Sequence, residues 1–432
     1  MKESTNNIAT VVSGGLCTQC GGCAGCCPFH AIGFRQHPKK GLLPVVDETR
    51  CTCCGICLQV CPGPSVDIPG FQRSMFGREP RDVYFGNTIR LLAGYTTDNA
   101  IRYNGASGGV VTAMLVELLK RGEIHGALVV TMNPVRPLEP RVFIARTVEE
   151  IVSAQQSKYL PVPMNQGLQE ILRSRGERFA VVGLPCHFQN LAMAKRVFPI
   201  LKEKIVLGIG LFCGYNPTLS STRFLIRRAG VKNVSSVREI RYRDGDWPCG
   251  FRVITDDGQD HFLFPTSHFV FAHWVFERHR CAMCNDQLCE FSDLSVGDEW
   301  KPVPREDKLG WSYIITRTPV GDRWVSRLAR EGVLHVEPTT RAEIYSGNYA
   351  TLIFKKRGNR AFFRIRKMLG KPFPDYRVNR NPRLDLRYFV GASLIWTVSS
   401  LFEMDWVSRP GLRIPVRLFQ KYVHLIIKLF EK

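Results

Sequence analysis

Through the middle of the chain, apolar runs of strand length alternate with patterns of helical spacing. HGALVVTM from His125, RFAVVGL from Arg178 and KIVLGIGLF from Lys204 read as strands. VVTAMLVELLKR after Gly109, FQNLAMAKRV after His187 and LSSTRFLIRRAG after Thr218 read as helices beside them. Strand-then-helix alternation predicts a mostly parallel α/β sheet. FRVITDDGQDHFLF, from Phe251, instead predicts an antiparallel hairpin turning at Asp256-Asp257-Gly258, so the sheet content is mixed. Nearer the start, AIGFRQ and LLPVVD are two further short strands.

Cysteine and charge change this picture at the two ends. The 432 residues include 16 cysteines, and ten of them fall between Cys17 and Cys61. Met1 to Thr10 is polar, without the apolar core of a signal peptide, so a cytoplasmic chain with reduced, metal-binding thiols is expected rather than a secreted disulfide scaffold. Net charge is +21, and twelve Lys or Arg between Lys355 and Arg387 face only Asp375 and Asp385. Three regions follow: a Cys-rich head at 1–70, an α/β region at 85–345 (a first part at 85–170, a second at 171–345), and a basic tail at 346–432. Pro69 to Tyr84 has the Gly, Pro and Arg content of a linker.

The head carries C-x2-C-x2-C-x3-C-P twice, at Cys17, Cys20, Cys23, Cys27 and Pro28, and at Cys51, Cys54, Cys57, Cys61 and Pro62. Each tight run of three wraps one face of a cubane, and the fourth cysteine ligates the other cluster. Cys17, Cys20, Cys23 and Cys61 are therefore assigned to one [4Fe-4S] centre, and Cys51, Cys54, Cys57 and Cys27 to a second. Zinc favours two C-x2-C knuckles, which this is not. Gly21, Gly22, Gly25 and Gly55 are expected to let backbone close around the clusters. Cys26 and Cys53 fit no ligand position. The head resembles a bacterial-type two-cluster ferredoxin.

In the α/β region, NGASGG at Asn104 to Gly109 precedes a helix. Ser107 is a natural N-cap, and the free N–H groups favour an anion such as pyrophosphate. Cys186 and Cys213 each follow a strand, at the edge where such sheets bind ligands. Cys281 and Cys284 form a C-x2-C pair that would complete four ligands for a third cluster, with Cys289 an alternative ligand; buried structural cysteines are the plain reading.

NGASGGVVTAML, QSKYL, GLPCHFQNL, LFCGYNP, RCAMCNDQLCEFSDLSVGDEW and WSYIITRTPVG occur in one order between about Leu91 and Val336. This series resembles the family of coenzyme F-420 hydrogenase/dehydrogenase beta subunits. The resemblance implies flavin-and-cluster chemistry, with FAD held by Asn104, Gly105, Ala106, Ser107, Gly108 and Gly109 and by Ser157, Lys158 and Tyr159. It also favours a cluster on Cys186, Cys213, Cys281 and Cys284. Lys158 would offset flavin charge, unless it is a solvated lysine. His187 would donate a proton, unless it caps its helix. The expected fold class is α/β (α+β overall): a ferredoxin-like β/α head, an α/β flavin-binding region with a mixed sheet, and a mostly helical basic tail. The expected activity is an oxidoreductase passing electrons from a soluble donor or partner redox subunit, through clusters and FAD, to a small organic substrate. Alternatives are a non-catalytic relay subunit and an accessory protein of envelope polysaccharide synthesis.

In the tail, Arg417, Lys421, His424 and Lys428 recur on one helical face from Arg413 on, and Leu418, Tyr422, Leu425, Ile426 and Leu429 on another. An anionic membrane surface suits this pattern, as does docking on the protein itself with the basic face solvated. No recognised nucleic-acid module is present.

Overall fold

The computed structural model describes residues 6–264, 274–300, 309–378, 385–404, 406–407 and 414–430. Its centre is an eight-stranded mixed sheet. In chain order its strands are β3 (Arg90–Thr96), β4 (Gly126–Met132), β5 (Pro140–Ala145), β6 (Phe179–Gly183), β7 (Ile205–Leu211), β11 (Leu294–Asp298), β12 (Ser312–Thr316) and β13 (Leu334–Pro338). They lie side by side as β13-β3-β12-β11-β7-β6-β4-β5. The inner four, β11, β7, β6 and β4, are parallel. Antiparallel strands flank them on both sides.

The three apolar runs are β4, β6 and β7, and burial explains their continuity. Ala127, Leu128, Phe179, Ala180, Leu207 and Ile209 are fully enclosed, covered by helices on the sheet faces. Of the three expected helices, Val110–Lys120 and Pro185–Val197 pack on this sheet, and Leu219–Arg228 packs instead with Ile240, Phe251 and Val253. The hairpin from Phe251 pairs β9 (Gly250–Thr255) with β10 (Asp260–Leu263), and β8 (Val237–Asp244) completes a separate three-stranded sheet.

In the head, β1 (Ile32–His37) and β2 (Gly41–Val46) pair antiparallel. Gly21 and Gly55, both left-handed (φ 88° and 74°), open the short helices Gly22–Gly25 and Ile56–Gln59. Gly22 and Gly25 have a packing reason to be glycine as well. A Cβ on Gly22 would strike the Asn190 side chain, and one on Gly25 the Asn165 carbonyl at 1.9 Å. They admit the α/β region.

The stretch with linker composition is a helix, Ile68–Phe76. Asp67 caps it by accepting from the Gly70 N–H, and left-handed Gly77 (φ 69°) ends it. Phe71 packs edge-on against Phe291 at 5.9 Å, with the Arg196 guanidinium 3.7 Å over its ring. Gln72 is fully buried beside Glu290.

The tail contains the helices Asn359–Met368, Leu386–Phe402 and Val416–Phe430. In the last of these, Phe419, Ile426 and Phe430 turn into the core, and the Tyr422 hydroxyl donates to the Trp274 carbonyl at 3.2 Å. The expected apolar face is thus divided: Ile426 and Tyr422 dock, and Leu418 and Leu425 stay exposed. Arg380, Arg383 and Arg413 lie outside the described residues. No described helix is long and apolar enough to cross a membrane.

Candidate functional site

Strand direction gathers the chemistry at one edge of the sheet. β6 and β7 end there, placing Cys186 in the first turn of Pro185–Val197 and Cys213 just after Leu211. β11 ends there at Asp298, opposite Ser312. Because β3 runs antiparallel to β12, its carboxyl end and the NGASGG turn arrive at the same edge.

A cavity of about 700 Å³ opens at this edge. The turn lines it with Gly105, Ala106, Ser107 and Gly109, and the following segments with Ser157, Lys158, Tyr159, His187 and Cys213. Asn104 and Gly108 are not among its lining residues. The Asn104 amide donates to the Ala100 carbonyl at 2.9 Å. A Cβ on Gly108 would stand 2.4 Å from the Gly94 carbonyl, so this glycine lets the turn lie on β3. The helix cap is left-handed Gly109 (φ 70°), not Ser107. The Ser107 and Ser312 hydroxyls are 2.8 Å apart, and the Gly108 N–H donates to Ser312 at 3.0 Å.

Lys158 is neither solvated nor free to swing. Its ammonium donates to the carbonyls of Ala154, Gln155 and Gln156 at 2.7, 2.5 and 3.0 Å. Burial lowers its pKa to about 7. His187 has both ring nitrogens engaged: Nδ1 accepts from the Leu184 N–H at 2.9 Å, and Nε2 lies 3.1 Å from the Val162 carbonyl, to which it donates. Burial pushes its pKa down to about 4. A neutral imidazole spent on both sides caps its helix and has no nitrogen left for proton donation.

Arg243, on β8, is the residue that sequence reasoning missed. It is buried, and its guanidinium donates to Asp298 at 2.7 Å, to the Tyr159 hydroxyl at 3.1 Å and to the Ala106 carbonyl at 2.6 Å. One cation therefore ties together the glycine turn, the Ser157–Tyr159 segment and the end of β11. Burial opposes its charge most strongly, but Asp298 together with its other neighbours outweighs burial and keeps it protonated. Trp247, 5.1 Å beneath the guanidinium, leans on Trp300 of the cavity wall with ring centroids 5.0 Å apart.

The cysteines fall into three neighbourhoods. Burial raises the Cys23 thiol first, and Cys17, Cys20, Cys61 and Cys57 act on it next. Cys61 in turn feels Cys20 and Cys17, although it lies in the other motif. Cys57 feels Cys54 and Cys27, which again crosses between motifs. Around Cys186, burial is followed by Cys20, Cys213, Cys281 and Cys284. Burial pushes Cys17 up to about 11 and Cys213 up to about 12, so bound cations are what would hold these sulfurs as thiolates. Among the described residues, no three His, Cys, Asp or Glu side chains converge as for a single ion. A cubane differs in donor geometry, since its four irons take one thiolate each at separate corners.

Cations stand between these groups. Arg280 is buried and donates to the carbonyls of Leu16 at 3.0 Å, Pro62 at 2.9 Å and Gly63 at 3.2 Å. Lys355 donates to the Cys281 carbonyl at 3.0 Å; burial works against its charge, but Cys284, Cys213 and Cys281 overcome it and raise its pKa. Cys289 is fully buried, its sulfur 3.9 Å from the Gly183 carbonyl, and it packs against Gly210. Asp286 is its main charged neighbour and Cys186 a weaker one. Cys26 is buried in the core and Cys53 is exposed.

Two family models cover more than half the chain in sequence. Residues 91–169 match the N-terminal part of the coenzyme F420 hydrogenase/dehydrogenase beta subunit, and residues 176–342 match its C terminus. The coenzyme F420 hydrogenase subunit beta of Methanosarcina barkeri is 28% identical over 262 residues, covering 60% of this chain and 84% of that one. An F(420)H(2) dehydrogenase subunit of Methanosarcina mazei is 26% identical over 363 residues, covering 82% and 94%. In the solved F420-reducing NiFe hydrogenase complex of Methanosarcina barkeri, one chain superposes with a TM-score of 0.54 at 25% identity, over 70% of this chain and 98% of that one. The chain belongs to the family of coenzyme F420 hydrogenase/dehydrogenase beta subunits.

Proposed function

We propose that the chain is an iron–sulfur flavoprotein oxidoreductase, moving electrons between a protein donor at its surface and an organic substrate in the cavity. The observation that carries this reading is the serial order of the cysteine neighbourhoods. Cys54 is exposed, Cys57 neighbours Cys23, Cys20 neighbours Cys186, and Cys213 lines the cavity. Cys51, Cys54, Cys57 and Cys27 would hold the outermost cubane, Cys17, Cys20, Cys23 and Cys61 the middle one, and Cys186, Cys213, Cys281 and Cys284 the innermost. Cubanes supply one-electron carriers; FAD, when bound, supplies conversion between one- and two-electron chemistry.

The chain's own residues contribute binding and charge. Gly105, Ala106, Ser107 and Gly109 offer a cradle with small side chains, and Ser157 and Tyr159 form the facing wall. Arg243 fixes both at a set spacing. Lys158, its ammonium held by three backbone carbonyls, would place a fixed positive charge in the cavity wall. Lys355 and Arg280 compensate buried thiolate charge. The structural relative sits in a hydrogenase complex, which favours a partner redox subunit as the donor.

Anaerobically purified protein should carry about twelve iron and twelve sulfide per chain, four of each per cubane, and one extractable FAD. Iron near eight would remove the innermost cluster, and dominant zinc would sink the electron-transfer reading. Turnover of a small molecule with reduced viologen alone supports an enzyme; electron flow seen only with a partner subunit present supports a relay.

A further inference from the structure

We propose that the helices Leu386–Phe402 and Val416–Phe430 form a docking face for an anionic lipid bilayer. They lie beyond the residues that the family models match, and the redox reading does not use them. Their mutual contacts set their orientation. Phe402 packs on Phe419 at 5.7 Å between ring centroids, and Tyr388 stacks on Phe430 at 5.3 Å, so the two helices run antiparallel side by side. Both turn one face into the protein: Tyr388, Ala392, Ile395, Ser399 and Phe402 on the first, Phe419, Ile426 and Phe430 on the second.

At 100° per residue, the opposite face of the first helix carries Leu386, Val390 and Leu401 together with the small polar Ser393 and Thr397. Met404 and Trp406, beyond the end of that helix, are exposed as well. Leu386 and Trp406 are 74% and 72% exposed, a costly arrangement for a surface that meets only water. On the second helix the outward positions are Arg417, Lys421, His424 and Lys428, all exposed. Leu418 and Leu425 lie on the flank toward the first helix, 53% and 48% exposed. The result is an apolar band bordered by the cations Arg417, Lys421 and Lys428.

Acidic groups do not interrupt it among the described residues. The Glu403 carboxylate turns inward to the hydroxyls of Thr218 and Ser220. Asp385 is paired with Arg387 at 2.8 Å. A protein partner with an acidic surface would match the cations but not the apolar band. A bilayer with anionic headgroups matches both: side chains enter the interface, and cations meet the phosphates. Neither helix can span, so binding is in the plane of the interface and reversible.

The test is co-sedimentation of full-length protein with vesicles, needing neither electron donor nor substrate, so its outcome is separate from that of the redox reading. Protein should pellet with phosphatidylglycerol vesicles at low salt, and be released by high salt or by pure phosphatidylcholine. Each cation contributes roughly fivefold to partitioning, so Lys421→Gln with Lys428→Gln should weaken binding about 25-fold. Leu401→Glu with Leu425→Glu should abolish it, with circular dichroism and melting temperature showing both proteins folded. Should the leucine variant misfold, the solvent-facing lysine pair still decides the matter. Wild-type protein left in the supernatant with anionic vesicles at low salt overturns the proposal. So does equal pelleting of the lysine variant.

Discussion

At the scale of single residues, cysteine and arginine carry different amounts of readable information. Two cysteine motifs of one spacing imply cross-ligation from sequence, because a three-cysteine loop cannot close a cubane alone. Cys27→Ser should therefore weaken the paramagnetic signal of the Cys51, Cys54 and Cys57 centre. Loss of the Cys17, Cys20 and Cys23 signal alone would contradict the assignment. Arg243 was invisible because REIRYRDGD reads as a charged, solvated strand; only the fold brings Asp298, Tyr159 and Ala106 around it. Arg243→Met should cost about 3–5 kcal/mol, since Asp298 is left half-buried without its partner. Calorimetric melting would check this, and Arg243→Lys should recover only part, having no planar fork to reach three acceptors. Glu277 is a second hidden group. Both its oxygens are buried without a hydrogen-bond partner, and burial, partly offset by Lys355, lifts its pKa to about 8. Between about 4.5 and 8 the folded chain keeps a proton that the unfolded chain has lost. Stability should fall as pH rises through that window, by at most about 5 kcal/mol, and level off above it. In Glu277→Gln the melting temperature should change less between pH 5 and pH 8; an unchanged pH profile would show that another group sets it.

Elements were legible where one physical rule acted alone. Continuous apolar runs became β4, β6 and β7 because helices cover both faces of the sheet. The hairpin at Asp256-Asp257-Gly258 formed because Gly258 supplies a positive φ (82°) at the turn. The stretch after Asp67 misled because composition and capping point in opposite directions. Pro69, Gly70 and Arg73 resemble a linker, yet Asp67 caps, Pro69 sits in the first turn, and Gly77 ends a helix. Its environment makes it rigid: the Asn87 amide donates to Gln72 at 2.9 Å, Gln72 donates to Glu290 at 3.3 Å, and Glu290 is paired with buried Lys356. Lys356→Met would leave the Glu290 carboxylate uncompensated, at a cost of about 3–5 kcal/mol. Adding Glu290→Gln to Lys356→Met should restore most of that loss, because no charge is then buried alone. Chemical denaturation of the single and double variants checks it, and additive losses would rule out a coupled pair.

At the scale of the whole molecule, the head shares its core with the rest of the chain. Ile8, Val11, Leu16, Val60 and Val66 belong to the same apolar cluster as Leu168, Phe188, Leu191, Trp274, Phe354 and Phe362. Backbone and side-chain bonds cross the same boundary. The Asn165 N–H donates to the Cys20 carbonyl at 2.8 Å, the Asn190 amide to Val60 at 2.6 Å, and the Val66 N–H to the Asp375 carbonyl at 2.8 Å. Periodicity could not reveal this, since which surfaces meet depends on glycines at 21, 22 and 25 being small enough to admit their neighbours. Removing residues 1–66 should therefore do more than delete two cluster sites. It takes the carbonyl acceptors of Leu16, Pro62 and Gly63 away from the buried Arg280 guanidinium, each worth roughly 1.5–3 kcal/mol as a bond to a charged group. It also opens the apolar surface around Phe188 and Leu191 to water. The truncated chain should lose its soluble yield, or unfold without a cooperative transition in near-ultraviolet circular dichroism. A soluble truncated chain with one FAD bound and a near-ultraviolet spectrum unchanged in shape would mean that the head is a detachable module. The shared core would then be a contact surface between two independently stable parts.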